Sequence, residues 1–183
     1  GEPLKVYASK GLPSVIKPNA HELAETVGRD LSNVGDVIDA ARELCEQGVE
    51  CVLASLGPDG MVAVTKNGTW QAKTPPVKVI NTVGAGDATL AGFLTAVITN
   101  PVDGTEEFGV GFNVALGVKQ AVQYGAVAVT QPTSGLENLD HMPPAILTEN
   151  PDRSTLLEEP AVAFHSDGEA FSVLERNPCA AIG

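Results

Sequence analysis

A chain of 183 residues is the size of one ordinary domain, and 43% hydrophobic residues with only 4% aromatics imply a sizeable core filled by aliphatic side chains. A net charge of −12 argues against a nucleic-acid surface, which needs a basic face, and no apolar run approaches the ~20 residues of a membrane span. Three cysteines, Cys45, Cys51 and Cys179, fit neither a zinc site nor a disulfide framework, and Gly1, Glu2, Pro3, Leu4 and Lys5 do not read as a signal peptide, so a reduced, cytoplasmic setting is expected with Cys45 and Cys51 as small core residues.

Residues 14–18 predict a short strand stopped by Pro18, and residues 21–27 one or two helical turns ended by Gly28. Val34, Val37, Ile38, Ala41 and Leu44 recur at helical spacing, with Asn33 placed to cap the start and Gly48 to end the helix. Residues 49–55 form a continuous apolar strand of the kind buried on both faces. Gly57-Pro58-Asp59-Gly60 is a turn, and the alternating runs 61–66 and 69–73 flank Asn67-Gly68, a hairpin signal. Another strand is expected at 77–80, a helix at 87–98, a second helix at 106–123 and a last short strand at 127–130. This order of strands, helices and a hairpin belongs to an α/β fold. Beyond residue 135 the pattern dissolves among prolines and acids. Residues 137–183 are expected to be a poorly structured tail, with one short strand near 161–164.

The chemistry concentrates in Asn81-Thr82-Val83-Gly84-Ala85-Gly86-Asp87, where small residues turn the chain into a helix that starts at an acid. A helix start leaves amides unpaired and carries partial positive charge. With almost no side chain on Gly84, Ala85 and Gly86, a phosphate can reach those amides. Asp87, favoured in its ionised form by the same dipole, can serve as a base. Phosphoryl transfer needs such a base and such an anion hole. Read alone, the turn is equally an N-cap with a tight bend.

The longer string, from Asn81 through Gly86-Asp87 to Ala91-Gly92-Phe93-Leu94, resembles the C-terminal signature of the ribokinase and phosphofructokinase-B family of carbohydrate kinases. Two upstream segments agree with it in order. Asn19-Ala20-His21-Glu22 is similar to the family's N-x-x-E motif, which implies that Asn19 lies near the phosphates and that Glu22 acts through water on Mg²⁺. Ser55-Leu56-Gly57-Pro58-Asp59-Gly60 is similar to the loop that holds ATP phosphates, which implies roles for Ser55, Gly57 and Gly60. Taken singly, the first is also a helix cap and the second a hairpin-like turn. The resemblance further implies that Asn113 borders the adenine site, and leaves open whether Lys17 faces a phosphate. His21 occupies a free position of its motif, and Trp70 reads as packing.

The resemblance covers residues 1–134 and the C-terminal half of such kinases. It implies a ribokinase-like three-layer α/β/α sandwich, C-terminal portion, with residues 1–136 as the nucleotide-binding half and 137–183 as the tail. Asn81, where many members carry Asp, implies a phosphorylated hexose as acceptor and no potassium site. With the opening Gly1-Glu2-Pro3-Leu4, it is similar to the 1-phosphofructokinase branch of the family. The implied reaction converts fructose 1-phosphate to fructose 1,6-bisphosphate with Mg²⁺ and ATP. The alternatives are tagatose 6-phosphate or another sugar as acceptor, and a truncated, non-catalytic ATP-binding fragment. The implied partners are a phosphosugar and either a second copy of the chain or the N-terminal half, with no nucleic acid and no membrane.

Overall fold

The computed structural model describes residues 14–100, 113–133, 136 and 139–163. Its main sheet has five strands. β1 (Val15–Ile16), β3 (Cys51–Ser55), β4 (Met61–Thr65), β5 (Thr69–Lys73) and β6 (Ile146–Glu149) lie side by side in that order. β1 and β3 are parallel, and every later pair is antiparallel. β2 (Leu31–Asn33) pairs with β7 (Leu156–Ala161) in a separate two-stranded sheet.

Alternation along the strands sends side chains into two cores. Val52, Ala54, Val62 and Val64 face α1 (Ala20–Val27) and α2 (Val34–Glu46). Cys51, Leu53, Met61 and Ala63 face α3 (Ala85–Thr99) and α4 (Val114–Val129). A sheet buried on both faces by helices is a three-layer α/β/α sandwich, as expected from strands that read apolar throughout. Cys45 and Cys51 are free and buried, Cys45 against the Val64 carbonyl at 3.5 Å. Burial pushes the Cys45 thiol up to about 11, and that of Cys51 higher still, so neither is a nucleophile near neutrality.

α1 and α2 start as their sequences dictate, each with a capping box. Asn19 and Glu22 exchange side-chain and backbone bonds at 2.8 and 2.9 Å, and Asn33 and Asp36 do the same at 2.9 and 3.2 Å. Gly28 ends α1 in the left-handed region, at φ 73. α3 and α4 pack with backbones close together: a Cβ on Gly92 would stand 2.8 Å from the Gln120 carbonyl, and one on Gly117 2.7 Å from Phe93.

Four expectations are corrected. Residues 77–80 form no strand: the Ile80 and Asn81 amides donate to the Val129 carbonyl at 2.7 and 3.2 Å, capping α4 instead of joining a sheet. Residues 127–130, expected as a strand, are the end of α4; Ala126, Val127 and Ala128 are buried there, and packing overrides the β preference of valine. The segment expected to be poorly structured holds β6 and β7. Between those strands the Arg153 and Thr155 carbonyls accept the Gly35 and Val34 amides at 2.8 and 2.9 Å, which satisfies the start of α2. The strand expected near 161–164 runs instead over Leu156–Ala161, with Phe164 outside the described residues. Residues 101–112, the start of the helix expected at 106–123, also lie outside them.

Candidate active site

The three motifs converge at the carboxyl ends of the parallel strands β1 and β3, where α/β sheets place their ligands. β1 runs out into Lys17-Pro18-Asn19 and β3 ends at Ser55. Asn19 and Ser55 are bridged in parallel, with the Ser55 amide 3.0 Å from the Pro18 carbonyl. From the other side comes the turn before α3. Gly84, at φ 81, makes the left-handed bend that only a glycine adopts without cost. Asn81 Oδ1 accepts the Val83 amide at 3.0 Å, an Asx turn that fixes the approach to that bend.

The first i→i−4 bond of α3 runs from the Ala88 amide to the Gly84 carbonyl at 2.9 Å, so the Gly86 and Asp87 amides precede the helical ladder. The Ala85 amide is already engaged, with the Thr82 carbonyl at 3.3 Å. Of the three amides expected to form the anion hole, Ala85 is thus the one with a competing acceptor.

Lys17 supplies what the sequence left open. Its Nζ stands 3.2 Å from the point a Cβ on Gly86 would occupy. The ammonium and the positive helix end therefore lie together, two centres of like charge side by side.

Asp87 is exposed in the first turn of α3 and lines an open cleft of about 430 Å³ with Val83, Gly84, Ala88, Ala91 and Leu136. The loop after β3 is a single 3₁₀ turn over Gly57–Asp59. Gly57 and Gly60 both have positive φ, 57° and 80°, and a Cβ on Gly60 would overlap the Ala72 carbonyl at 2.1 Å. Among the described residues Ser55 Oγ reaches only the Pro18 carbonyl, at 3.5 Å, so its hydroxyl is loosely held.

Glu22 caps α1 with Oε2, and Asn19 Oδ1 accepts the Glu22 amide. Both residues are exposed. Among the described residues no cluster of three or more His, Cys, Asp or Glu forms a metal cage. One carboxylate and one amide oxygen suit Mg²⁺, which keeps several waters and takes most of its protein contact through one or two carboxylates plus substrate phosphates. Asn113 caps α4, accepting the Leu116 amide at 2.9 Å, a role the sequence reading did not give it. Trp70 packs half-buried on the α3–α4 core, with its ring over Gly68. His21 is exposed on α1.

Sequence reading missed Asp59. It is buried in the loop, with Oδ1 2.9 Å from Lys73 Nζ and Oδ2 accepting the Glu158 amide at 2.8 Å. Burial alone would raise its pKa, but the Glu158 amide and the Lys73 ammonium together hold it below the usual carboxylate range. Only a partner far along the chain reveals this, and no local motif signals it.

The fold is that of an α/β/α sandwich with its motifs gathered at the strand ends, and comparison with known proteins gives it a family. Residues 5–140 match the model of the pfkB family of carbohydrate kinases. The chain belongs to that family. It is 44% identical over 93 residues to the 1-phosphofructokinase of Escherichia coli K12, covering 51% of this chain and 30% of that one. To the 1-phosphofructokinase of Bacillus subtilis it is 35% identical over 130 residues, covering 67% and 43%. Phosphofructokinase-2 of Escherichia coli, solved with fructose-6-phosphate, superposes with a TM-score of 0.60 at 30% identity over 71% of this chain and 39% of that one. The chain thus spans less than half the length of these relatives. No helix among the described residues is long and apolar enough to cross a membrane.

Proposed function

We propose that the chain carries the nucleotide side of an ATP-dependent phosphosugar kinase, with fructose 1-phosphate as acceptor and fructose 1,6-bisphosphate as product. The observation that carries this reading is the pairing of Lys17 with the open start of α3 beside Asp87. Asp87 takes the proton of the acceptor hydroxyl as its oxygen forms a bond to the γ-phosphorus, and the bond from that phosphorus to the β,γ-bridging oxygen breaks to release ADP. The Gly84 and Gly86 amides and the Lys17 ammonium stabilise the charge on the transferring group. Ser55, Gly57 and Gly60 hold the nucleotide phosphates, and Asn113 borders the base. Asn19 and Glu22 would hold a hydrated Mg²⁺, whose chemistry is to neutralise charge on the phosphates. The relatives' names support the acceptor: two are 1-phosphofructokinases. Tagatose 6-phosphate is the nearest alternative.

A second reading, a nucleotide-binding module that needs a complementary segment for turnover, is favoured by the exposure of Val79, Ile80 and Val83 beside the cleft, at 58%, 56% and 66%. Under this reading the complement is either a second copy or the N-terminal half that the longer relatives possess. A coupled assay with fructose 1-phosphate, tagatose 6-phosphate, fructose 6-phosphate and ribose tests the kinase. MgATP binding by calorimetry without turnover on any of them selects the module.

A further inference from the structure

The loop after β3 is held from behind by a part of the chain beyond residues 5–140, the span that matches the family model. Residues 150–163 run as a strap. The strap is fastened to α2 through the Arg153 and Thr155 carbonyls and to Asp30 Oδ1 through the Ala163 amide at 2.9 Å. Between those anchors the Glu158 amide leaves the β2–β7 ladder and donates to Asp59. Each acceptor atom of Asp59 has a partner. Both carboxylate oxygens are used, and its carbonyl accepts Gln71 Nε2 at 3.1 Å.

A buried carboxylate in a phosphate-binding loop repels the ligand unless its charge is met elsewhere. Here the Lys73 ammonium and the Glu158 amide meet it, one on each carboxylate oxygen. We propose that Asp59 is a positioning residue through which the strap sets the geometry of the nucleotide loop, so that docking of residues 150–163 controls nucleotide affinity. This rests on the kinase reading for the identity of the ligand, while the link from strap to loop stands on the hydrogen bonds themselves.

Glu158→Pro removes the amide proton that Asp59 uses together with the Glu158 carboxylate, at a position where Leu157 already has the extended backbone that precedes a proline. Glu158→Ala keeps the proton and is the conservative control. Hydrogen exchange of residues 56–61 and calorimetric titration with MgATP are measured on both, and on Asp59→Asn in case the proline variant does not fold. Glu158→Pro should speed exchange in the loop and weaken MgATP about tenfold, since hydrogen bonds to charged groups are worth that much or more. A coupled assay should show KM for ATP rising and kcat nearly constant, with Glu158→Ala like the parent. Loop exchange or MgATP affinity unchanged in both Glu158→Pro and Asp59→Asn overturns the proposal. If exchange rises in Glu158→Pro but the parent chain itself binds no MgATP, the kinase reading fails while the coupling of strap to loop stands.

Discussion

The Lys17 ammonium lies against Gly86, 3.2 Å from where a β-carbon would be, at the positive end of α3. A cation at a helix N-terminus costs stability rather than adding it. Under the proposed function the arrangement suits an anion, and stability is given up for binding.

That cost gives the first prediction. Lys17→Met should leave the melting temperature equal to or slightly above the parent's, by up to about 1 kcal/mol of stability. It should also weaken MgATP by roughly tenfold or more, because a charge-assisted contact to phosphate is lost. Differential scanning calorimetry and titration on the same sample separate the two effects. A loss of stability together with a loss of binding would mean that Lys17 is structural.

The close approach of α3 and α4 gives the second. Gly92→Val places a branched side chain against the Gln120 carbonyl and the Tyr124 ring, at 2.8 Å for the first atom of each. A backbone carbonyl cannot turn aside, so the variant should lose about 1–3 kcal/mol, read from the urea midpoint. Because α3 opens at the Gly84–Gly86 turn, MgATP binding should weaken as well.

Asp59 gives the third. Its folded-state pKa lies below the unfolded value of about 3.9. The folded protein therefore binds fewer protons at this site. The contribution of the ion, set among Lys73, the Glu158 amide and the exposed Glu158 carboxyl, is complete above that range and is lost as pH falls through the folded value. Urea unfolding between pH 2.5 and 7 should show the parent and Asp59→Asn converging as the solution becomes acid and separating above about pH 4. A gap that stays constant with pH would mean that the carboxylate charge does not matter.

Much of the site was legible because its signals are local. A glycine turn into an acid-headed helix, Asn33 as a cap, and Asn67-Gly68 between alternating runs each declare themselves within a few residues. What the sequence hid depends on distant partners. β6 pairs with Trp70 and its neighbours on β5, and all four of its residues are exposed, so no apolar pattern marks it. The bond from Glu158 to Asp59 spans 99 residues. The valines at 127 and 129 read as strand by type, yet Gly125 fits against Thr89 and lets the helix run on. Asn19 and Glu22 form the capping box that orders α1, which uses Glu22 Oε2 and leaves Oε1 outside the box.

The central claim is that Asp87 acts as the base of phosphoryl transfer. Asp87→Asn keeps the size of the side chain at an exposed position, and its effect on folding should be within about 1 kcal/mol. In a coupled assay on the chain in its turnover-competent form, alone or with a complementary segment, kcat with fructose 1-phosphate should fall by about 10²–10⁴ while MgATP affinity stays within a few-fold of the parent's. A variant that keeps more than about a tenth of the parent's kcat would contradict the assignment.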